Sequence, residues 1–211
     1  MEDAKFNNLC SHYKDSFDNH KASIKQRDML FYLLLVILSV FTLQLSSTEA
    51  VTNIVTEYVK KSTGITLSGS VGFISTLLWF LLMGFCIRYF QVVIEIERQY
   101  NYLHALETEI NDFYKQESIA FTREGKSYLS KYPLFSNWVW LLYTLFFPIL
   151  IISCTTLKVK IQIINLGSLT ANQIIEMACF SLIIISVVLY TYRLHENQVN
   201  EALSRVARFF K

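Results

Sequence analysis

Ionisable and amide side chains are rare in the apolar runs of this sequence, and three of them are the first candidates for function. Arg88, Glu176 and Gln44 lie within, or at the edge of, runs long enough to cross a bilayer. A charged group inside a membrane is costly, so it is a functional candidate by default, here as part of a pore. Arg88 has a structural alternative, because a long side chain near the end of a span reaches the headgroups. Glu176 has one too, an ion pair with Lys158 or Lys160.

A second candidate for chemistry is the pair Arg98 and His104 in the segment RQYNYLH. Its spacing resembles the R-x4-6-H motif that HEPN-type ribonucleases carry, usually at a dimeric helical interface. The Asn that often follows such an Arg is replaced here by Gln99. A match of this spacing also arises readily by chance in a chain with seven Arg and four His. A membrane-bound ribonuclease is therefore the less favoured alternative.

No other enzyme chemistry is indicated. The four cysteines (Cys10, Cys86, Cys154 and Cys179) form no C-x-x-C pair and have no metal-ligand spacing. The sequence has no phosphate loop, nucleotide fingerprint, serine elbow or zincin motif. We therefore expect a protein that is not an enzyme and that has no metal and no cofactor. The net charge of +2 argues against direct nucleic-acid binding.

The elements that must position these residues are four long apolar runs. The chain is 53% hydrophobic, and a helix needs about 20 apolar residues to cross the hydrocarbon core. Four stretches meet this length, at about 29–46, 71–90, 138–157 and 174–192. A soluble protein of 211 residues has too small a polar shell to cover them. The sequence predicts an all-α fold, a four-transmembrane-helix bundle, with a kink at Pro148 and Trp79 packed against another helix.

The distribution of Lys and Arg predicts the orientation. Of the nineteen, five lie in the N-terminal segment, six in the central loop with the end of span two, and four in the C-terminal tail. That leaves four on the other side. Both termini are therefore expected in the cytoplasm, with the protein in the inner (plasma) membrane and the lipid bilayer as its first partner.

Apolar residues at alternating three- and four-residue spacing continue beyond the spans and predict helices there. These segments are 1–28, the loop 91–137 as an extension of span two, and 193–211, which could continue span four as one helix. Glu95, Glu97, Glu107, Glu109 and Asp112 are expected on the solvent side. We expect a helical cytoplasmic bundle, packed either within one subunit or between subunits. The candidate oligomer or partner contacts are Ile96, Leu103, Leu106, Ile110, Phe113, Val199, Val206 and Phe209.

The two outer loops are also patterned. The first has an apolar face over residues 50–59 and a cap at Ser47 or Thr48. This predicts a helix in the outer interface or lining a vestibule between subunits. The second alternates Lys and Gln with Val159 and two Ile residues. This pattern predicts a short extended or hairpin segment, followed by a cap of span four at Thr170 or Asn172.

In layout the chain resembles small four-span inner-membrane components of bacterial antiphage systems, namely the Kiwa membrane subunit and the membrane accessories of RNA-targeting CRISPR systems. The resemblance covers the architecture across the chain and no specific residues. It implies a membrane sensor or a depolarising pore that acts alone or with a soluble partner.

These observations favour a non-enzymatic, homo-oligomeric membrane protein coupled to a soluble cytoplasmic partner. Its output would be altered membrane permeability or signalling. If it conducts, Arg88 and Glu176 are expected to face the axis of the oligomer. The alternative is a structural anchor that recruits a cytoplasmic enzyme.

Overall fold

The computed structural model describes residues 2–64, 71–114, 134–164 and 170–196. They form α1 (Glu2–Ser46), α2 (Thr48–Thr63), α3 (Val71–Phe113), α4 (Leu134–Leu141), a π-helical turn (Leu142–Phe146), α5 (Phe147–Ile164) and α6 (Ala171–Leu194). No strand occurs within the described ranges, so the all-α prediction is confirmed for them.

Four of these helical stretches are long and apolar enough to cross a membrane: Asp3–Ser46, Gly72–Phe113, Asn137–Ile164 and Ala171–Leu194. Each contains one predicted span. Helices α1 and α3 have 45 and 43 residues, about twice the length that a span requires. The predicted extension of span two is confirmed as far as Phe113.

Helix ends occur where the sequence supplies capping groups. Ser47, in the extended conformation, accepts a hydrogen bond from the Ala50 N–H at 3.4 Å and begins α2. Gly64 ends α2 at φ 72°, a left-handed conformation that glycine adopts without strain. Thr170 and Gln173 form a reciprocal capping box at the start of α6. The predicted caps at Ser47 and Thr170 are therefore confirmed.

The prediction of an extended or hairpin segment at residues 158–164 is wrong, because these residues are the last turns of α5. Lys158 and Val159 are buried, and Gln162 bonds to a neighbouring helix. This spacing of three and four residues is helical. Ile161 and Ile163, which suggested alternation, are exposed. Apolar residues on several faces of a helix are normal when the surroundings are lipid rather than water.

The helix is irregular near Pro148, as predicted, and the irregular turn lies just before this residue. The chain adopts π-helical hydrogen bonding over Leu142–Phe146, between α4 and α5. Proline has no N–H to donate to the carbonyl four residues earlier, here that of Thr144, and its ring crowds that carbonyl. A wider turn relieves both problems.

The last residue of helix α6 is Leu194, and His195 follows as its C-cap. The predicted continuation of the helix through 193–211 lies almost entirely outside the described residues. Val199, Val206 and Phe209 lie outside the described residues.

The chain divides into two compact units. The first takes its residues from 1–29 and 91–142, and the second from 30–90 and 143–211. We refer to residues 2–29 of α1 with 91–113 of α3 as the helix pair, and to the described part of the second unit as the span unit.

The helix pair is antiparallel. Phe6 packs against Phe113 with ring centroids 5.4 Å apart, and Ser23 accepts a hydrogen bond from Gln99 at 3.2 Å. The core between these contacts is apolar and consists of Tyr13, Phe17, Leu103, Leu106 and Ile110. The two predicted amphipathic stripes therefore pack against each other within one chain.

The prediction that Glu107 lies on the solvent side of this pair is wrong. Glu107 is buried, and its Oε1 accepts a hydrogen bond from the Tyr13 hydroxyl at 3.0 Å. The position lies four residues after Leu103 and so shares its face. Glu95, Glu97, Glu109 and Asp112 are exposed as predicted.

Aromatic contacts join the helices of the span unit. Trp79 is fully buried and lies between Phe41 of α1 and Phe180 of α6, at centroid distances of 4.9 and 6.2 Å. The prediction that Trp79 packs against another helix is confirmed. Nearer the other end, Phe90 of α3 stacks on Tyr190 of α6 at 4.3 Å.

The buried Tyr13–Glu107 hydrogen bond should stabilise the helix pair more than the exposed Tyr102–His12 hydrogen bond of 2.7 Å. Tyr13→Phe is expected to lower the free energy of local opening by about 1–3 kcal/mol, since it removes a donor from a buried carboxylate. Tyr102→Phe, the matched control, should change it by less than about 0.5 kcal/mol. Hydrogen exchange of the amides in residues 3–29 measures both effects, and equal effects would contradict the ranking.

Candidate functional site: a polar layer inside the spans

The carboxylate of Glu176 joins three helices of the span unit. Glu176 lies on α6 and is only 2% exposed. The Thr76 hydroxyl, on α3, lies 3.1 Å from Oε1. The Gln162 side-chain amide, on α5, donates to Oε2. Both carboxylate oxygens therefore have a partner on another helix.

Lys158 adds a positive charge to the same cluster. It precedes Gln162 by one helical turn on α5 and is only 5% exposed. Lys160, the other predicted partner, is exposed. Lys158 therefore shares a face of α5 with Gln162, the bonding partner of Glu176, but no direct ion pair joins Lys158 to Glu176 in the described part of the chain. The partners of the Glu176 carboxylate are Thr76 and Gln162.

The Thr76 hydroxyl has two acceptors and one hydrogen. Its oxygen lies 3.0 Å from the Gly72 carbonyl in the preceding turn, as well as 3.1 Å from Glu176. A hydroxyl donates one hydrogen bond at full strength, so the helix carbonyl and the carboxylate compete for it.

Further polar residues extend the cluster into a layer. Gln44 of α1 and Thr155 of α5 are fully buried, and Ser75 of α3 is also buried. Thr155 donates to the Ile151 carbonyl of its own helix at 2.8 Å. Among the described residues, the Ser75 hydroxyl has no hydrogen-bond partner. We call Gln44, Ser75, Thr76, Thr155, Lys158, Gln162 and Glu176 the polar layer.

The polar layer lies near one set of helix ends. Thr76 and Glu176 are each five residues from the start of their helices, and Gln162 is two residues from the end of α5. At 1.5 Å per residue these offsets are about 3–8 Å. Lys158 and Thr155 lie deeper, about 9 and 14 Å from the same end of α5. The layer is therefore within the apolar helices, and the Glu176 cluster is close to where they end.

Sequence reasoning located only part of this layer. Gln44 and Glu176 stood out as polar residues in apolar runs, and Lys158 was a predicted partner of Glu176. Thr155, Lys158 and Gln162 were not recognised as neighbours on one helix, because the segment that contains Lys158 and Gln162 was interpreted as extended. Their spacing of three and four residues is the signal that would have placed them on one helical face.

The structure does not bring Arg88 to the same site. Arg88 is exposed and lies twelve residues after Thr76 on α3, about 18 Å along the helix. Glu176 is enclosed by groups of its own chain, so the expected arrangement of both residues on one oligomer axis gains no support.

Arg98 and His104 are also apart. Six residues on a continuous α-helix correspond to a rotation of about 240°, so the two side chains leave different faces. Arg98 is exposed, whereas the His104 ring packs edge-on against Tyr100 with centroids 4.5 Å apart. Within one chain, this pair does not form a joint site.

The candidate oligomer contacts fall into three groups. Leu103, Leu106 and Ile110 belong to the core of the helix pair, so partner proteins cannot reach them in this conformation. Ile96 and Phe113 are half-buried. The remaining three lie outside the described residues. Within the described ranges, no group of three His, Cys, Asp or Glu side chains is placed to hold a metal ion.

Four helices able to cross a membrane, with a Glu and a Lys buried among them, are the features of a multi-pass membrane protein. Comparisons with protein-family models, curated proteins and solved structures found no match to this chain.

The two buried charges give a stability prediction. Lys158→Met should lower the free energy of unfolding by about 1–3 kcal/mol, because it takes a nearby positive charge away from a buried carboxylate. Lys158→Met combined with Glu176→Gln removes both charges but keeps the hydrogen-bonding shape at Glu176. This double variant should recover most of the loss, or exceed the wild type.

Lys160→Met, on the exposed face of the same helix, is the control and should change stability by less than about 0.5 kcal/mol. Unfolding by SDS in mixed micelles measures all three variants. A double variant as unstable as Lys158→Met alone would show that the two charges are not coupled.

Proposed function

We propose that this chain is a non-enzymatic, homo-oligomeric protein of the cell inner membrane, with both termini in the cytoplasm. It acts as a membrane sensor or a pore-type effector, and a soluble cytoplasmic partner controls it. The polar layer, with Glu176 and Lys158 at its centre, is the observation that carries this proposal.

The polar layer supports a protein that changes state. Buried charged residues contribute little to the stability of a fold, and apolar residues of similar volume do as well or better. A passive anchor has no need for it. If the helices separate, however, water enters more easily between Glu176, Lys158 and Gln162 than between aliphatic residues. The layer therefore suits a closed state that becomes hydrated on activation.

Two further features fit this proposal. Four spans enclose little space, so a water-filled path requires several subunits around a common axis. Helices α1 and α3 each continue from an apolar span into the helix pair without interruption. A partner that binds the helix pair would thus act on segments that are covalently continuous with the spans.

The resemblance in layout to four-span antiphage components suggests antiphage defence as the biological role. In that role the cytoplasmic partner would recognise infection, and the membrane protein would respond by depolarising the cell. Lys and Arg placement supports the orientation that this arrangement requires.

Membrane potential tests the proposal directly. Bacteria that express the chain, alone and with its genomic neighbours, are followed with a voltage-sensitive dye. We expect depolarisation that depends on expression. It should be lost in the Lys158→Met/Glu176→Gln variant, which should still fold, and kept in Lys160→Met. If the double variant depolarised cells as strongly as the wild type, conduction would not depend on the charges of the polar layer.

An unchanged potential under every condition would favour the anchor alternative. One observation supports that alternative: the exposed acidic residues of the helix pair, Glu95, Glu97, Glu109 and Asp112, could receive a basic partner. Glu109→Lys with Asp112→Lys should then abolish capture of the partner. Deleting residues 1–28 is a poorer test, because it uncovers the core around Leu103.

The orientation has its own test. Alkaline phosphatase fused after Lys211 should be inactive, and a fluorescent protein at that position should be bright, because the C-terminus lies in the cytoplasm. Phosphatase inserted after Gly64, between two spans, should be active. The opposite pattern would reverse the proposed topology.

A further inference from the structure

Helix α2 has an apolar surface that the rest of the chain does not cover. Val51 is buried, and Val55 and Val59 are half-buried, so one edge of the apolar face packs within the span unit. Ile54 and Tyr58 lie beside that edge, four residues apart, and are 67% and 72% exposed. Residues at this spacing share a helix face. The two side chains therefore form one continuous exposed apolar patch.

The chain connection places α2 at the end of a span. Only Ser47 separates α2 from α1, and its extended backbone (φ −152°, ψ 93°) breaks the helix at that point. The 16 residues of α2 extend for about 24 Å, less than the hydrocarbon thickness of about 30 Å. Helix α2 also contains acidic, basic and amide side chains. It is therefore suited to the boundary between lipid and water.

The residues around the patch match that boundary. Tyrosine is enriched at the headgroup level, where its ring contacts lipid and its hydroxyl contacts water. Lys60 and Lys61 follow in the last turn and are exposed. Their long side chains can reach phosphate groups while the helix stays at the acyl boundary.

We propose that α2 is an interfacial lipid-binding helix. Ile54 and Tyr58 insert between acyl chains at the headgroup boundary, and Lys60 and Lys61 bind lipid phosphates. A second copy of the chain would need a larger contact, since a stable protein interface buries about 800 Å² on each partner. One Ile and one Tyr side chain supply only a fraction of that area. The proposal does not depend on whether the protein conducts.

Depth measurements test this assignment on the full chain in vesicles of phosphatidylethanolamine and phosphatidylglycerol. The four cysteines are replaced by Ala, and single nitroxide labels are placed through Ile54→Cys and Tyr58→Cys. Asn53→Cys and Thr63→Cys, at exposed positions away from the patch, are the matched controls. We expect the ratio of collisions with oxygen to collisions with a water-soluble nickel complex to be several-fold higher at 54 and 58 than at 53 and 63.

Equal ratios at all four positions would place α2 in water and overturn the proposal. Spectral broadening at 54 and 58 that disappears on dilution with unlabelled protein would also overturn it, because a second copy would then cover the patch. A photoreactive p-benzoyl-phenylalanine in place of Tyr58, with the native cysteines kept, gives an independent readout. Cross-linking to lipid supports the proposal, and cross-linking to protein contradicts it.

Discussion

The constraint behind this structure is that hydrocarbon offers no hydrogen-bond partner to a peptide group. Each N–H and C=O in a span must be satisfied within its own segment, and a helix is the only open-ended element that does so. The ends of α2 and the start of α6 follow the same constraint, because Ser47, Gly64 and Thr170 satisfy the exposed backbone groups. The π-helical turn before Pro148 is a local adjustment to one missing donor.

The polar layer follows from the same constraint applied to side chains. Apolar side chains give helices little preference for one another in a bilayer, because lipid tails are equally good neighbours. A carboxylate is different, because lipid cannot replace its donors. Glu176 obtains donors from Thr76 and Gln162 on two other helices. Its bonds therefore specify which faces of α3, α5 and α6 meet, whereas the aliphatic contacts only fill space.

The sequence predicted the spans, the helical extensions in α1 and α3, and two caps, because each depends on local periodicity or on a single residue type. It failed at residues 158–164, since alternation indicates a strand only when one face meets water. Gln162 was missed as a consequence, and Lys158 was not placed on one helical face with it. Glu107 was misplaced because a stripe of apolar residues does not define the width of a buried face. Periodicity also cannot decide whether a stripe packs within a chain or between chains, and this required the Tyr13–Glu107 contact.

The helix pair also has a consequence for biosynthesis. The hydroxyl of Tyr13 meets a carboxylate 94 residues later in the chain. At a synthesis rate of about 5–20 residues per second, the apolar stripe of α1 waits roughly 5–20 s for its partner. Two spans must enter the membrane during that interval. Until α3 is made, the apolar stripe of the nascent N-terminal segment stays exposed, and ribosome pausing before Phe113 would prolong that exposure.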